Sequence, residues 1–429
     1  MKFFFPDAHD HVDPEFDFET EATSADRQLQ HSDHYAHELL GRAPYDGLLL
    51  SKSIVDGVTG KSAKFTTAQR HRLRRLGAHQ FFRVSQLRNP EGGPFPIMAD
   101  CGAFSYIQEE APPITIDDAI EFYQTCGFTH GQSIDHIIAD FRPYWDEHGL
   151  FGDGVPEGVR YRYDLTLRLA EEFITACRDR IVSFVPVGVA QGWSPRSYVA
   201  AVQRLYQLGY RYIALGGLVP LKTTQLLEVV RAVMTSVKPD VKIHLLGVIR
   251  WEHLDELVRL GVASFDSTSP LRQAFLDSKS NYYTGTEGGP AYAAIRVPQS
   301  DGNLQLMRRI SSGQLVSEKV RELERRCLDL LRAYGRDKSD AGLQELLDAL
   351  DAYVRLIDPK KSWRAKHERT LRDRPWERCG CSVCKDVGIE VVMFRGANRN
   401  RRRGFHNLFV SYERVTSAVQ QSLSKSEVS

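Results

Sequence analysis

From residue 47 to residue 266 the chain alternates short apolar runs with longer amphipathic stretches, and this alternation restricts the fold more than any single motif. The runs are GLLL (47–50), PIMAD (96–100), IDHII (134–138), IVSFVPVGVA (181–190), YIALGG (212–217), KIHLLG (242–247) and VASFD (262–266). Between the later ones lie YDLTLRLAEEFITACR, PRSYVAAVQRLYQLG, TTQLLEVVRAVMTSVK and WEHLDELVRLG. Apolar residues recur there every three and four positions, the period of a helix with one buried face. Gly209 and Gly261 stop two of these helices. Strand and helix in alternation with short connections predict a parallel sheet. Seven visible units predict an α/β chain of the (β/α)₈ TIM-like barrel type rather than an open doubly wound sheet. The eighth strand is expected in 290–296 or in 405–411.

The pattern divides the remainder. Residues 1–300 are expected to form the barrel with an N-terminal extension, and 301–375 an appended helical hairpin. In the hairpin Val320, Leu323, Cys327 and Leu330 line one face, and Leu343, Leu346, Leu347, Leu350 and Val354 line another. The segment 376–415 carries Cys379, Cys381 and Cys384 in C-x-C-x2-C spacing, followed by His406 and Asn407. Thiolates this close, in a chain without a secretory signal, predict a closed structural Zn²⁺ site. The subdomain around it is expected to close the barrel. The Ser-, Gln- and Lys-rich residues 416–429 are expected to fray.

Bulk composition narrows the function classes. With 429 residues, 42% hydrophobic, the chain can bury a large core. A net charge of +1 gives no support to a globally basic nucleic-acid binder, although a local patch is compatible with it. The opening MKFFFPDAHDHVDP has too short an apolar run for a signal peptide. No stretch reaches the roughly 18 to 20 apolar residues of a membrane span. Seven cysteines, three of them clustered, fit a reduced cytoplasmic setting better than a disulfide scaffold.

In a barrel the chemistry sits where strands end. The expected strand ends read Asp100-Cys101-Gly102-Ala103-Phe104, Asp135-His136, Gln191-Gly192, Gly216-Gly217, Leu246-Gly247 and Asp266-Ser267. Three acids at one topological level place several carboxylates around one cavity, where one can act as nucleophile and another as proton carrier. The glycines would let a flat ligand approach the backbone. Taken singly, Asp100 and Asp266 read as caps of a turn or helix, and the glycine pairs read as loop punctuation. His136 reads as a packing or loop residue. His9, Asp10 and His11 form a metal-like triplet but read better as solvated or loop residues, and HSDHYAHE (31–38) is similar.

Taken in order, these motifs resemble the queuine/archaeosine tRNA-ribosyltransferase family, the tRNA-guanine transglycosylases. The family's D-S-G-G-F appears as DCGAF (100–104), its Q-G-G as QGW (191–193) and its A-[IV]-G-G-L as ALGGL (214–218). Its [HY]-L-[ML]-G appears as HLLG (244–247), and its G-[IV]-D-x-F-D-[CS] with P-x-R as GVASFDSTSPLR (261–272). The zinc signature is CGCSVC with HN (406–407). PDAHDHVDPEFDF and HELLGRAPYDGLLLSKSIVDG are similar to the DNA-modifying branch, DpdA, which inserts 7-cyano-7-deazaguanine (preQ0) in place of guanine.

The resemblance implies the roles. Asp266 would be the nucleophile that attacks C1′ of the target nucleoside, and Asp100 the general acid/base. Asp135, or Asp140 in its place, would read the guanine-like edge. Gln191 and the Gly216–Gly217 backbone would hold the base carbonyl, Leu246 would cover the ring, and Cys101 stands where a serine helps hold the base. Cys379, Cys381, Cys384 and His406 would fill the four positions of one structural Zn²⁺. DCGA for DSGG, QGW for QGG and Ala263 for an acid depart from the family and bear on specificity.

A base in a duplex cannot reach a barrel mouth, so the target must be single-stranded or flipped out. RGANRNRRRG, with Arg395, Arg399, Arg401, Arg402 and Arg403, is expected to grip phosphates, against the alternative of a solvated loop. The partners implied are DNA, the preQ0 base and partner proteins of a DNA-modification system, with no membrane. The competing readings are a tRNA-acting transglycosylase, a non-catalytic zinc-stabilised nucleic-acid-binding subunit, and a metal-dependent hydrolase using the N-terminal histidines.

Overall fold

The computed structural model of the chain describes all residues except Ala8, Thr59, Asp277, Ser278, 286–290, Lys338 and 427–429, and the side chains of 425 and 426. Eight parallel strands close into a barrel. They are β1 (Lys2–Pro6), β2 (Gly47–Ser51), β3 (Ile97–Asp100), β4 (His130–Gln132), β5 (Val185–Ala190), β6 (Tyr212–Leu215), β7 (Lys242–Leu245) and β8 (Ser264–Asp266). Each pairs with its neighbours in sequence, and β1 closes the ring by pairing with both β2 and β8.

The missing strand is therefore KFFFP at the N-terminus, a correction to the two expected positions. Phe3, Phe4 and Phe5 are buried on both sides, so β1 shows no polar alternation, and no helical pattern follows it to announce a βα unit. Of the expected positions, Ile295–Arg296 pairs instead with Met393–Phe394, 405–411 lies within the helix Gly396–Ser426, and Pro290 lies outside the described residues. A second correction concerns IDHII: the strand is the preceding His130–Gln132, and 134–138 belongs to the loop after it. Gly131 sits in that strand because a Cβ there would come within 2.5 Å of Tyr123 and 2.8 Å of Phe184.

Inside the barrel, Phe4, Leu49, Met98, Val187, Val189, Tyr212 and Ala214 pack together, with Leu246 at the edge of the cluster. They are inward-facing strand residues, as a filled barrel requires. Each large side chain so buried contributes about 1.5–3 kcal/mol. The outer helices follow the predicted periodicity: Glu157–Asp179, Pro195–Leu208, Thr223–Ser236 and Leu254–Arg259. Ser194 caps the second of them by accepting from the Ser197 N–H at 3.1 Å. Gly209 ends it in the left-handed region at φ 103°.

Packing separates two compact units: Met1–Ala8, Tyr45–Thr268 and Val415–Ser429 in the first, His9–Pro44 and Ser269–Arg414 in the second. Residues 9–44 thus group with the helical and cysteine-bearing segments, whereas the sequence reading places them with the barrel. The hairpin is Ser317–Arg336 and Leu343–Ile357. Its second helix buries the five predicted apolar residues. Its first buries Val320, Glu324, Cys327, Leu328, Leu331 and Tyr334, leaving Leu323 and Leu330 half-buried. Glu324 is inside because Arg395 pairs with it at 2.7 Å and the Ser300 N–H donates to it. Residues 416–426 continue the helix Gly396–Ser426 rather than fraying; Val415 and Ala418 are buried along it.

Candidate active site

Because all eight strands are parallel, their C-terminal ends share one rim. Asp100 ends β3 and Asp266 ends β8. Gln191 follows β5, Gly216 follows β6 and Leu246 follows β7. Asp135 lies in the loop after β4. Asp100 is half-buried, and its Oδ1 is buried without a hydrogen-bond partner. Burial pushes its carboxyl up to about 7; a Ser51 hydrogen bond opposes this, and the charges of Asp266 and Asp135 add to it. Asp100 thus feels the charge of both other carboxylates at this end of the barrel. Burial likewise pushes Asp135 up to about 6, against the Gln191 hydrogen bond. Asp140, by contrast, is exposed beside Arg142 at 3.8 Å.

Gln191 joins two rim elements. Its Nε2 donates to Asp135 Oδ2 at 2.7 Å, and its Oε1 accepts from the Ile138 N–H at 3.2 Å. The glycines after β6 make room for this carboxamide. A Cβ on Gly216 would lie 2.2 Å from Gln191 Nε2, and one on Gly217 2.7 Å from Oε1, with Gly217 at φ +71°. The space kept by these glycines is filled by protein, not reserved for a ligand. The Gly216 N–H donates to the Ala190 carbonyl at 2.9 Å and its carbonyl accepts from Tyr198. Gly216 therefore has no amide hydrogen to offer a base, a correction to the expectation. The Cys101 side chain is also corrected: it is buried, with its Sγ 3.6 Å from the Ser133 carbonyl and 3.8 Å from the Tyr123 hydroxyl. Its weak hydrogen bonding is directed into the protein. Trp193, where the family has glycine, is buried and donates to Asp146 at 2.8 Å, tying down the loop around that residue.

Asp266 is buried and its Oδ1 is held by two groups. The Gly247 N–H donates to it at 2.8 Å, and His244 Nε2 lies 3.1 Å away. His244, Ser264 and Tyr212, the residues behind it, and Ser51 beside Asp100 escaped the sequence reading. Polar residues at inward-facing strand positions were the available signal.

In the second unit, Cys379, Cys381, Cys384 and His406 bring four ligand atoms within 4.8 Å of one another. His406 Nδ1 is 3.4, 3.5 and 3.3 Å from the three sulfurs. A tetrahedral ion with bonds of about 2.3 Å to sulfur and about 2.0–2.1 Å to nitrogen requires S···N separations near 3.6 Å, so these residues fit one metal ion. His406 Nε2 meets the Tyr283 carbonyl at 2.9 Å, which leaves Nδ1 as the ligand atom. Among the described residues this is the one such group. Of the N-terminal histidines, expected to be solvated or loop residues, His9 lies in a bend and His11 does not fit. His11 is buried in a short strand, 3.0 Å from Asp33, which Arg27 also binds at 2.7 Å.

The sequence profile of the queuine tRNA-ribosyltransferase family matches residues 66–427. The chain belongs to this family. It is accordingly a guanine transglycosylase by kind, and a Salmonella montevideo protein named DNA-guanine transglycosylase is 44% identical to it over 418 residues, 97% of this chain and 96% of that protein. No helix among the described residues is long and apolar enough to cross a membrane.

Within this transglycosylase the arginine run is not a phosphate grip, a further correction. Arg399, Arg402 and Arg403 are 1%, 1% and 0% exposed. Arg399 pairs with Glu390 at 2.6 Å and Glu21 at 2.5 Å. Burial alone would raise Glu21, yet Arg395, Gln299 and Arg399 hold it down to about 2. Arg402 donates to the Asp13 carbonyl at 2.9 Å. Arg403 donates to the carbonyls of Val391, Met393 and Ala274, and burial pushes it down to about 9. Arg401 is half-buried and donates to the His11 carbonyl at 3.2 Å.

Proposed function

We propose that this chain exchanges guanine for 7-cyano-7-deazaguanine (preQ0) in DNA through a covalent aspartyl–sugar ester on Asp266. The observation that carries the reading is geometric: Asp100 and Asp266 end β3 and β8, and Asp135 follows β4, so that three carboxylates stand at the same end of the barrel. Departure of guanine makes C1′ cation-like, and a carboxylate on the opposite face stabilises and then traps it. Asp100, a carboxyl poised near neutrality, gives its proton to the departing base and takes one from the entering base. Asp135, oriented by Gln191, accepts from the N–H edge of the guanine-like ring, Leu246 borders the ring face, and Gly217 and the second Gln191 N–H serve the base carbonyl. Two displacements at one carbon retain its configuration. DNA is favoured as the polymer by the 44% identity, over nearly the whole chain, to a protein named for action on DNA.

Cys379, Cys381, Cys384 and His406 would hold one structural Zn²⁺. All four positions are filled by protein, so the ion braces the fold and leaves no site for substrate.

A second reading, exchange in tRNA, is favoured by the description of the matching family profile. Incubation of the full chain with labelled preQ0 and either duplex DNA or tRNA separates the two. Label is expected in DNA; label only in tRNA rejects the first reading, and label in neither, with an intact fold, favours a non-catalytic subunit.

A further inference from the structure

Behind Asp266 runs a line of buried polar groups with no part in the chemistry above. Asp266 Oδ1 lies 3.1 Å from His244 Nε2, and His244 Nδ1 lies 2.7 Å from Ser264 Oγ. Ser264 Oγ is in turn 2.6 Å from the Tyr212 hydroxyl. His244 and Ser264 are 0% exposed and Tyr212 8%. The Phe4 ring packs edge-on against the imidazole at 5.8 Å between centroids. Four polar side chains in the filled interior of a barrel are costly unless each is satisfied, and here each satisfies the next.

An ionised carboxylate only accepts hydrogen bonds, so the His244 nitrogen facing Asp266 carries its hydrogen whether the ring is neutral or charged. Oδ1 thus receives two donors, His244 Nε2–H and the Gly247 N–H at 2.8 Å. The other imidazole nitrogen is held by Ser264, so the ring cannot flip without breaking both contacts.

We propose that His244, locked by Ser264 and Tyr212, is a positioning residue that assigns the two oxygens of Asp266 different tasks: Oδ1 is held by the protein and Oδ2 bonds the sugar. This rests on the reading of Asp266 as nucleophile. In the first step Oδ2 gives an electron pair to C1′, and the C1′–N9 bond breaks with its pair leaving on guanine, which takes the Asp100 proton. Oδ1 then becomes the ester carbonyl oxygen, still facing both donors. In the second step the entering base loses its N9 proton to Asp100 and bonds C1′, and the C1′–Oδ2 pair returns to the carboxylate. The two donors stabilise that returning charge more than they stabilise the neutral ester, so they favour release of the sugar from the enzyme.

The test uses the full chain with duplex DNA and labelled guanine, which does not depend on preQ0 being the natural base. His244→Leu is expected to lower kcat about a hundredfold, leave the KM for guanine within about twofold, and raise the fraction of DNA trapped as denaturation-resistant adduct at steady state. His244→Gln, which places an N–H where Nε2 was, is expected to recover at least about tenfold of the loss. Should His244→Leu fail to fold, Ser264→Ala, which frees the ring but keeps it, is expected to lower kcat about tenfold. Turnover within twofold of the parent in the folded variant, or a loss that His244→Gln does not recover, overturns the proposal. Asp266→Ala separates the two claims. An adduct that survives this substitution sinks the nucleophile reading itself, whereas loss of the adduct there with an unaffected His244→Leu sinks only the positioning role.

Discussion

At the scale of the residue, Asp100 links the site to stability. Its folded-state value of about 7 lies above the ordinary carboxylate value of 3.8. Between those two pH values the folded chain keeps a proton that the unfolded chain has released, so stability falls as pH rises through that window. Asp100→Asn removes this penalty and is expected to stabilise the protein at pH 8 by up to roughly 4 kcal/mol, and much less at pH 4. Thermal melts at the two pH values check this; an equal change at both contradicts it. In the proposed mechanism the same carboxyl is protonated when it assists the departing guanine. Single-turnover formation of the DNA adduct is therefore expected to slow as pH rises through about 7, with that inflection absent in Asp100→Asn. A profile flat from pH 6 to 8 in the parent contradicts the assignment of Asp100 as the acid.

At the scale of the element, the helix Gly396–Ser426 shows how a sequence misleads and where it could have been read better. Consecutive arginines suggest a solvated basic surface. Yet Arg395, Arg399, Arg402 and Arg403 fall at helical spacing i, i+4, i+7 and i+8, the spacing of a buried stripe. Their carboxylate partners Glu21, Glu324 and Glu390 lie in other segments, so no local pattern announces the pairing. Arg399→Ala is expected to destabilise the fold by about 1–3 kcal/mol, because it removes one of two cations from each of Glu21 and Glu390, which keep Arg395 and Arg332. Calorimetry or denaturant unfolding measures it, and a variant of unchanged stability with weakened DNA binding restores the phosphate reading. The cysteine element, by contrast, was legible, because ligand spacing is local. Cys384→Ser, or chelation, is expected to lower the Tm and release about one zinc per chain; an unchanged Tm and no metal released contradict a structural ion. The strands split along the same line. Six strands fall on the expected apolar runs, while β1, buried all round and followed by no helical pattern, and β4, which precedes the IDHII run, did not declare themselves. Asp100 and Asp266 stood out as acids ending apolar runs and Asp135 as an acid inside one, whereas the inward turn of Cys101 and the use of the Gly216 amide in a bond to the Ala190 carbonyl depend on neighbours that sequence spacing does not identify.

At the scale of the whole molecule, a barrel end that carries three carboxylates, one of them pushed up to about 7 chiefly by burial, has the perturbed acids expected of a site for proton transfer. The Cys3His cluster and the buried arginine network belong to the second unit. Labelled preQ0 entering duplex DNA but not tRNA is the expected outcome at this scale. The covalent step is tested most directly by quenching the full chain with DNA in denaturant, digesting both, and mapping the modified peptide by mass spectrometry. A deoxyribose-linked mass on the peptide carrying Asp266, absent from Asp266→Ala, is the predicted result. A linkage at any other residue, or one undiminished in Asp266→Ala, contradicts the account.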